Sequence, residues 1–229
     1  MSYKSFMLHS IGNVNSEYRV TSERLRRITD KSPRSTITFD DGYVDNLTYG
    51  RDCFSTLRDR AIIFPVVGKI GGVNDWDVSG ELLRKPLLDW EQILELQSLG
   101  VRFGSHGLTH TDLAKLGDVE LEREVKESKR ILEEKLGQSV EGFAYPFGFF
   151  NKRVITAVKA AGYKWAVTTS DSIWEGWGNP YRLRRINISG LDPDWLLRAK
   201  ISGLYDIKAV WELPRLIQGK VTLYFSAGG

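Results

Sequence analysis

The stretch "STITFDDG" (residues 35–42) decides how the rest of the chain is read. Thr36 to Phe39 alternates as a half-buried strand does, and it runs straight into Asp40-Asp41-Gly42. Carboxylates at the C-terminal end of a strand sit where α/β barrels build active sites. Neighbours in a strand point to opposite faces, but at the turn that follows both can face one cavity. An ordinary Asp-Gly turn has the same sequence, so the stretch needs support from elsewhere in the chain.

Working outward, short β-rich runs recur: "SFMLHS", "AIIFPVV", "VRFGSH", "GFAYPF", "KWAVTTS" and "LRRINIS". Helical patterns lie between them. "DNLTYGRDCFSTLRDR" repeats apolar residues at steps of three and four. "DWEQILELQSLG" has Asp89 as a candidate N-cap and Gly100 as a C-terminal stop. "DVELEREVKESKRILEEKLG" reads as a surface helix whose charges form a solvated face, and "NKRVITAVKAAGY" as a shorter helix. Strand and helix alternate along most of the chain, which predicts an α/β architecture with parallel strands. No fixed-period repeat or low-complexity linker interrupts the 229 residues, so one domain over 1–229 is expected. Two irregular segments, 68–86 and 172–180, are candidates for walls of a site.

Composition narrows the function classes. The net charge is only +3 and the basic residues are dispersed, so no nucleic-acid footprint is present. Cys53 is the only cysteine, which excludes an intramolecular disulfide and reads as a small buried residue. No apolar run reaches the ~18 residues needed to cross a bilayer. The first residues lack the apolar core of a secretion signal, so a cytoplasmic location is expected.

The second informative stretch is "FGSHGLTH" (103–110), which holds His106 and His110, two of only three histidines. If that segment forms a helical turn, the two imidazoles share a face. Two imidazoles and a carboxylate make a three-ligand set with an open position, the pattern of catalytic zinc sites. Two unconnected surface histidines remain the alternative for this stretch alone.

Together the two stretches resemble the polysaccharide deacetylases of the NodB-homology, carbohydrate-esterase type. Thr38-Phe39-Asp40-Asp41-Gly42 matches the family's first motif, and His106-Gly107-Leu108-Thr109-His110 its H-[ST]-x-x-H motif, with Gly107 a departure. Ala144-Tyr145-Pro146-Phe147-Gly148 occupies the place of the third motif, R-P-P-Y-G. The resemblance covers roughly residues 36–190. It implies a distorted (β/α) barrel of about seven parallel strands. It implies that Asp41, His106 and His110 hold a divalent metal, Zn2+ by expectation, and that Asp40 is the general base. It also implies that the backbone N–H of Phe147 helps hold the tetrahedral oxyanion. The activity implied is hydrolysis of an N-acyl group, acetyl or formyl, from an amino sugar.

Two departures bear on the mechanism. No histidine follows His110, where the family's late histidine serves as general acid, and Ala144 replaces the arginine of the third motif. Arg185 is the candidate to supply the missing guanidinium beside Asp40. His9, at the end of the first strand-like run, is the candidate general acid, with a structural role as the alternative. Asp171 is a candidate for orienting a histidine or Arg185. Tyr145, Phe147 and Trp174 are candidate substrate contacts, with Trp76, Phe149, Phe150 and Trp177 as further rim aromatics and Asp75 and Asp77 as polar ones. Most relatives act outside the cell on chitin, peptidoglycan or poly-N-acetylglucosamine. The expected cytoplasmic setting points instead to a nucleotide- or lipid-linked amino sugar, or an oligosaccharide, made for a surface polysaccharide. A catalytically impaired sugar-binding protein on the same barrel and an allantoinase-like small-amide hydrolase are the competing readings.

Overall fold

The structure is a computed structural model and describes residues 4–170 and 178–205. It begins with strand β1 (Ser5–Leu8), followed by two short strands, β2 (Ser10–Gly12) and β3 (Arg19–Thr21), and helix α1 (Ser22–Lys31). Neither short strand nor α1 is among the elements expected from the sequence. The helix is nonetheless well specified: the Thr21 side chain accepts from the Arg24 N–H, and Leu25, Ile28 and Thr29 are buried at helical spacing.

The "TITFDD" stretch forms β4 (Thr36–Asp41), the central strand, and leads into α2 (Val44–Leu57). Then come β5 (Ala61–Pro65), α3 (Trp90–Ser98), β6 (Arg102–Phe103), α4 (Asp118–Leu136), β7 (Gly142–Ala144), α5 (Lys152–Ala160), β8 (Trp165–Val167), β9 (Ile186–Asn187) and α6 (Asp194–Ser202). Five strands pair in the order β6-β5-β4-β1-β9, every pair parallel. β7 and β8 form a separate parallel pair. A single bridge, Ser105 to Phe143, links the end of β6 to β7, and another, Val167 to Leu183, links β8 to the segment entering β9. The seven strands of this circuit match the expected α/β barrel. Its two single-bridge links leave the barrel without a closed sheet.

Alternation along β4 sorts its residues into two layers. Ile37 and Phe39 join the large core between strands and helices, where Phe39 meets Phe54 of α2 edge-on at 5.4 Å. Thr38 and Asp40 share the other face. Ile62, Phe64, Ala144 and Val167, from β5, β7 and β8, form a small separate cluster. The Arg185 guanidinium lies 5.7 Å from the Phe64 ring. Asp40 therefore emerges from a short, well-packed central strand.

Between β5 and α3 the chain makes a long excursion over one rim. It folds back on itself through Asn74–Lys85 and Leu87–Gly72 backbone hydrogen bonds and is tied to the turn after β4 by Leu88 N–H to Gly42 carbonyl (2.8 Å). Lys85 pairs with Asp45 at 2.6 Å, and Glu81 accepts from the Tyr18 N–H at 2.9 Å. The expected wall of the site is thus a braced structure rather than a loose loop. No helix of the described residues is long and apolar enough to cross a membrane.

Candidate active site

Asp40 and Asp41 end β4 in register with Phe64 and Pro65 of β5. Asp41 has a left-handed backbone (φ 71°), and Gly42 continues it (φ 81°). That twist breaks the strand alternation and lets two consecutive carboxylates line one cavity. His106 follows the Ser105 bridge immediately past β6. The segment from His106 to His110 is not the helical turn anticipated as one way to pair the histidines. It is a loop with two left-handed residues, Gly107 (φ 77°) and His110 (φ 56°). The imidazoles are paired by this turn, not by helical periodicity.

The result is a buried cluster. One ligand atom from each of Asp41, His106 and His110 lies within 4.8 Å of the others. Asp41 Oδ1 is 3.6 Å from His106 Nε2 and 3.4 Å from His110 Nε2. Ligands about 2.0–2.2 Å from a tetrahedral zinc ion stand roughly 3.3–3.6 Å apart. His106 Nδ1 is 2.7 Å from the Ala144 carbonyl, so Nδ1 carries the proton and the Nε2 lone pair faces Asp41. Asp41 Oδ1 is buried without a hydrogen-bond partner. Lone pairs converging on one point repel unless a proton or a cation joins them, and this unpartnered oxygen with two imidazoles at the spacing of zinc ligands fits a divalent metal. Without a cation, burial first and then the Asp40 charge push the Asp41 carboxyl up to about 8. Burial lowers both histidines, which keeps the imidazoles neutral as ligands must be.

Around this cluster Arg185 stands where the sequence placed it as a candidate. It is fully buried and grips Asp40 with two bonds, Nη1 to Oδ1 at 2.6 Å and Nη2 to Oδ2 at 2.7 Å. Its Nε donates to the Thr168 carbonyl, and Nη1 also reaches Thr38 Oγ1. Burial alone would raise the Asp40 carboxyl, but the Arg185 charge and its hydrogen bonds outweigh it and hold the group well below the ordinary carboxylate range.

The other expected residues divide. His9 is half-buried on the cavity wall and meets Tyr18 edge-on at 5.4 Å. Burial, reinforced by Arg185 and His106, lowers its imidazole to about 4, so it is neutral in the free protein. Phe147, half exposed and with φ 56°, packs on His110 at 4.4 Å between centroids. Trp76 stacks on the same imidazole at 4.5 Å, so besides His106 the His110 ring carries two aromatic neighbours. Tyr145, expected as a substrate contact, lines the cavity from a largely internal position. Its ring is fully buried, stacked on Phe150, and its hydroxyl donates to the Tyr181 carbonyl at 2.9 Å. Phe150 is correspondingly packed against the core. Asp77 lines the cavity, bonded to Asn74, while Asp75 pairs with Lys69 outside it. Asp171, Trp174 and Trp177 lie outside the described residues.

Two contributors escaped the sequence reading. The hydroxyl of Tyr43, fully buried, lies beside the Asp41 carboxyl and partly offsets the burial that raises it, and it accepts from Asn74 Nδ2 at 2.7 Å. Glu124, read as part of a solvated face on α4, is buried and accepts from Leu108 N–H (2.7 Å), Thr109 N–H (3.2 Å) and Thr109 Oγ1 (2.6 Å). The second was detectable: Glu124 lies three residues after Leu121 and four before Ser128, on the buried stripe.

The cavity holds about 380 Å³ and is lined by both aspartates, all three histidines, Trp76, Asp77, Glu81, Phe147 and Asn187, among others. Volumes of this order suit a small ligand or one or two sugar units.

With fold and site in place, the comparisons are consistent with one another. Residues 27–166 match the family described as "Polysaccharide deacetylase", and the chain belongs to that family. A Bacillus subtilis (strain 168) protein named "Putative polysaccharide deacetylase YxkH" is 29% identical over 166 residues, covering 70% of this chain and 54% of that protein. The chain thus spans about half the length of the curated relative it matches. Among solved structures, the Streptococcus pyogenes deacetylase PplD in complex with acetate superimposes with a TM-score of 0.71 at 21% identity, covering 88% of this chain and 98% of that one. A de-N-acetylase from Aggregatibacter actinomycetemcomitans gives 0.67 at 16% identity, with 86% and 99% covered. At these identities the likeness carries the fold, and the chemistry rests on the site itself.

Proposed function

We propose that the chain hydrolyses an N-acyl group, acetyl or formyl, from an amino-sugar residue of a glycan, with a divalent metal held by Asp41, His106 and His110. The carrying observation is the convergence of Asp41 Oδ1, buried and unpartnered, with two imidazole Nε2 atoms. A metal there supplies Lewis acidity, polarising the acyl carbonyl and acidifying the attacking water toward a pKa of ~7.

The protein's own groups do the rest. Asp40 takes the water's proton. Arg185 keeps Asp40 ionised and fixes both oxygens, and each oxygen retains a lone pair for the proton. The cost is basicity, which is acceptable when the water is already acidified. The Phe147 backbone N–H is assigned to the developing oxyanion. His9 lines the cavity and is neutral in the free protein, so as general acid it would take up the proton that Asp40 removes from water and hand it to the leaving nitrogen, which leaves both groups as they began. The aromatic faces of Trp76 and Phe147 suit stacking against a sugar ring or its acyl methyl.

The lining also bears on the carrier. Among the described lining residues there is no Lys or Arg, while Asp77 and Glu81 are present. A diphosphate-linked sugar would bring two or more negative charges to this mouth without a cationic side chain to meet them. An uncharged N-acylated oligosaccharide is therefore favoured over the nucleotide- or lipid-linked forms anticipated from the sequence. The cytoplasmic setting expected there stays part of the proposal, and cell fractionation tests it. The Arg185–Asp40 pair counts against an impaired sugar binder, because such a protein has no use for a precisely held base.

Elemental analysis of wild type and Asp41→Ala, with release of acetate from N-acetylglucosamine oligomers, tests the reading. Near-stoichiometric zinc in the wild type and little in Asp41→Ala is expected. Asp40→Asn should keep the metal and lose about 10²–10⁴-fold in kcat. Absence of metal from both proteins after zinc is supplied would sink it.

A further inference from the structure

Glu124 projects from the middle of α4, a 19-residue helix packed through Leu121, Val125 and Leu132, so its carboxylate has a rigid base. It is buried, and among the described residues no cation pairs with it. All three of its side-chain donors come from Leu108 and Thr109, the residues between the two histidines. The opposite edge of the same loop is held by backbone amides: Val67 N–H to the Gly107 carbonyl and Gly68 N–H to the Leu108 carbonyl, both 2.9 Å. Two of the loop's carbonyls are thus met by the chain after β5, and two of its amides, those of Leu108 and Thr109, by Glu124.

We propose that Glu124 is a positioning residue for metal binding, whose carboxylate holds the His106–His110 loop in the turned form that aims both imidazoles at Asp41. The inference rests on the metal-clamp reading above. Its physical basis is strain. His110 has a left-handed backbone, which a non-glycine residue keeps only where its surroundings over-determine it. The two bonds to Leu108 and Thr109 N–H fix the residues directly before it. Gly107 fits the same device. A Cβ there would stand 3.0 Å from Glu124 Oε2, on a backbone of φ 77° that favours glycine anyway. The departure from the usual Ser or Thr at that position leaves room for the carboxylate.

Zinc affinity, measured by competition with a chromophoric chelator, and thermal melting of the metal-free protein test this in wild type, Glu124→Gln, Thr109→Val and Asp41→Ala. Both backbone donors share Oε2, so in Glu124→Gln the amide oxygen still accepts from them, but the bonds lose their charge assistance and zinc affinity should fall about 10-fold while the protein remains folded. Thr109→Val removes only the hydroxyl donor and should shift affinity in the same direction by less. A folded Glu124→Gln with wild-type zinc affinity overturns the proposal, whatever its melting temperature, because a purely structural glutamate would change melting alone. Should Glu124→Gln fail to fold, wild-type affinity in Thr109→Val overturns it instead. A wild type that binds no more zinc than Asp41→Ala removes the metal reading itself and this inference with it, an outcome distinct from the other two.

Discussion

Arg185 shows how one side chain can restore a missing function from another part of the chain. The usual arginine position holds Ala144, and the guanidinium arrives from the segment entering β9 instead. Four of its N–H donors are directed to Asp40, Thr38 and the Thr168 carbonyl, in the fixed fork that only arginine offers. Arg185→Met should leave Asp40 charged, buried and unpaired. Urea unfolding should then show a loss of about 3–5 kcal/mol. Arg185→Lys should recover part of the stability and little of the activity, since a point charge cannot hold both carboxylate oxygens. A neutral result for Arg185→Met would show that Asp40 has another partner. Asp41 teaches a related lesson. Its identity as a carboxylate was visible in the sequence, but its left-handed turn, which brings it beside Asp40, was not.

At the scale of the element, local signals and tertiary contacts part company. The α3 helix was fully announced: Asp89 accepts from the Gln92 N–H at 2.8 Å, and the Gln92 side chain accepts from the Asp89 N–H at 3.0 Å, a complete capping box. Asp89→Ala should lower stability by about 1 kcal/mol in a denaturant titration and leave turnover unchanged, because the cap lies outside the cavity lining. α4 lies where the sequence predicts it, and Glu124 departs from its solvated charges because its spacing from Leu121 and Ser128 puts it on the buried stripe. β2 and β3 are not among the expected elements because three-residue strands carry too little periodicity, and α1 is not because Leu25 and Ile28 are its only buried apolar residues. The histidine loop was legible as a ligand pair and illegible as a conformation: spacing of four suits a helix, and only Gly107 hinted at a turn.

For the whole molecule, burial of tyrosine couples stability to alkaline pH. Burial pushes the Tyr145 and Tyr163 phenols well above their ordinary value, and their hydroxyls are engaged with the Tyr181 carbonyl and with Val125 and Ser128. The folded state therefore keeps protons that the unfolded chain releases above about pH 10. Stability should be unaffected by these groups below that pH and fall progressively above it. Phenolate absorbance for Tyr145, Tyr163 and the equally buried Tyr43, which burial also raises, should appear together with loss of helical circular dichroism. Early ionisation of all nine tyrosines without unfolding would contradict this packing.

The sequence by itself determined the strand–helix alternation, the two acidic residues ending a strand, the histidine pair and the absence of a histidine after His110. Each is a property of residue type and near-neighbour spacing, which the chain carries wherever it folds. Only the tertiary structure decided how Asp41 turns to face the imidazoles, that Arg185 reaches Asp40 across the barrel, that the Tyr145 ring is buried at the cavity wall, and that Glu124 bonds the histidine loop. Those four depend on contacts between residues distant in sequence and on left-handed turns at Asp41 and His110. Packing selects such contacts and pays for such turns, and no local pattern encodes either.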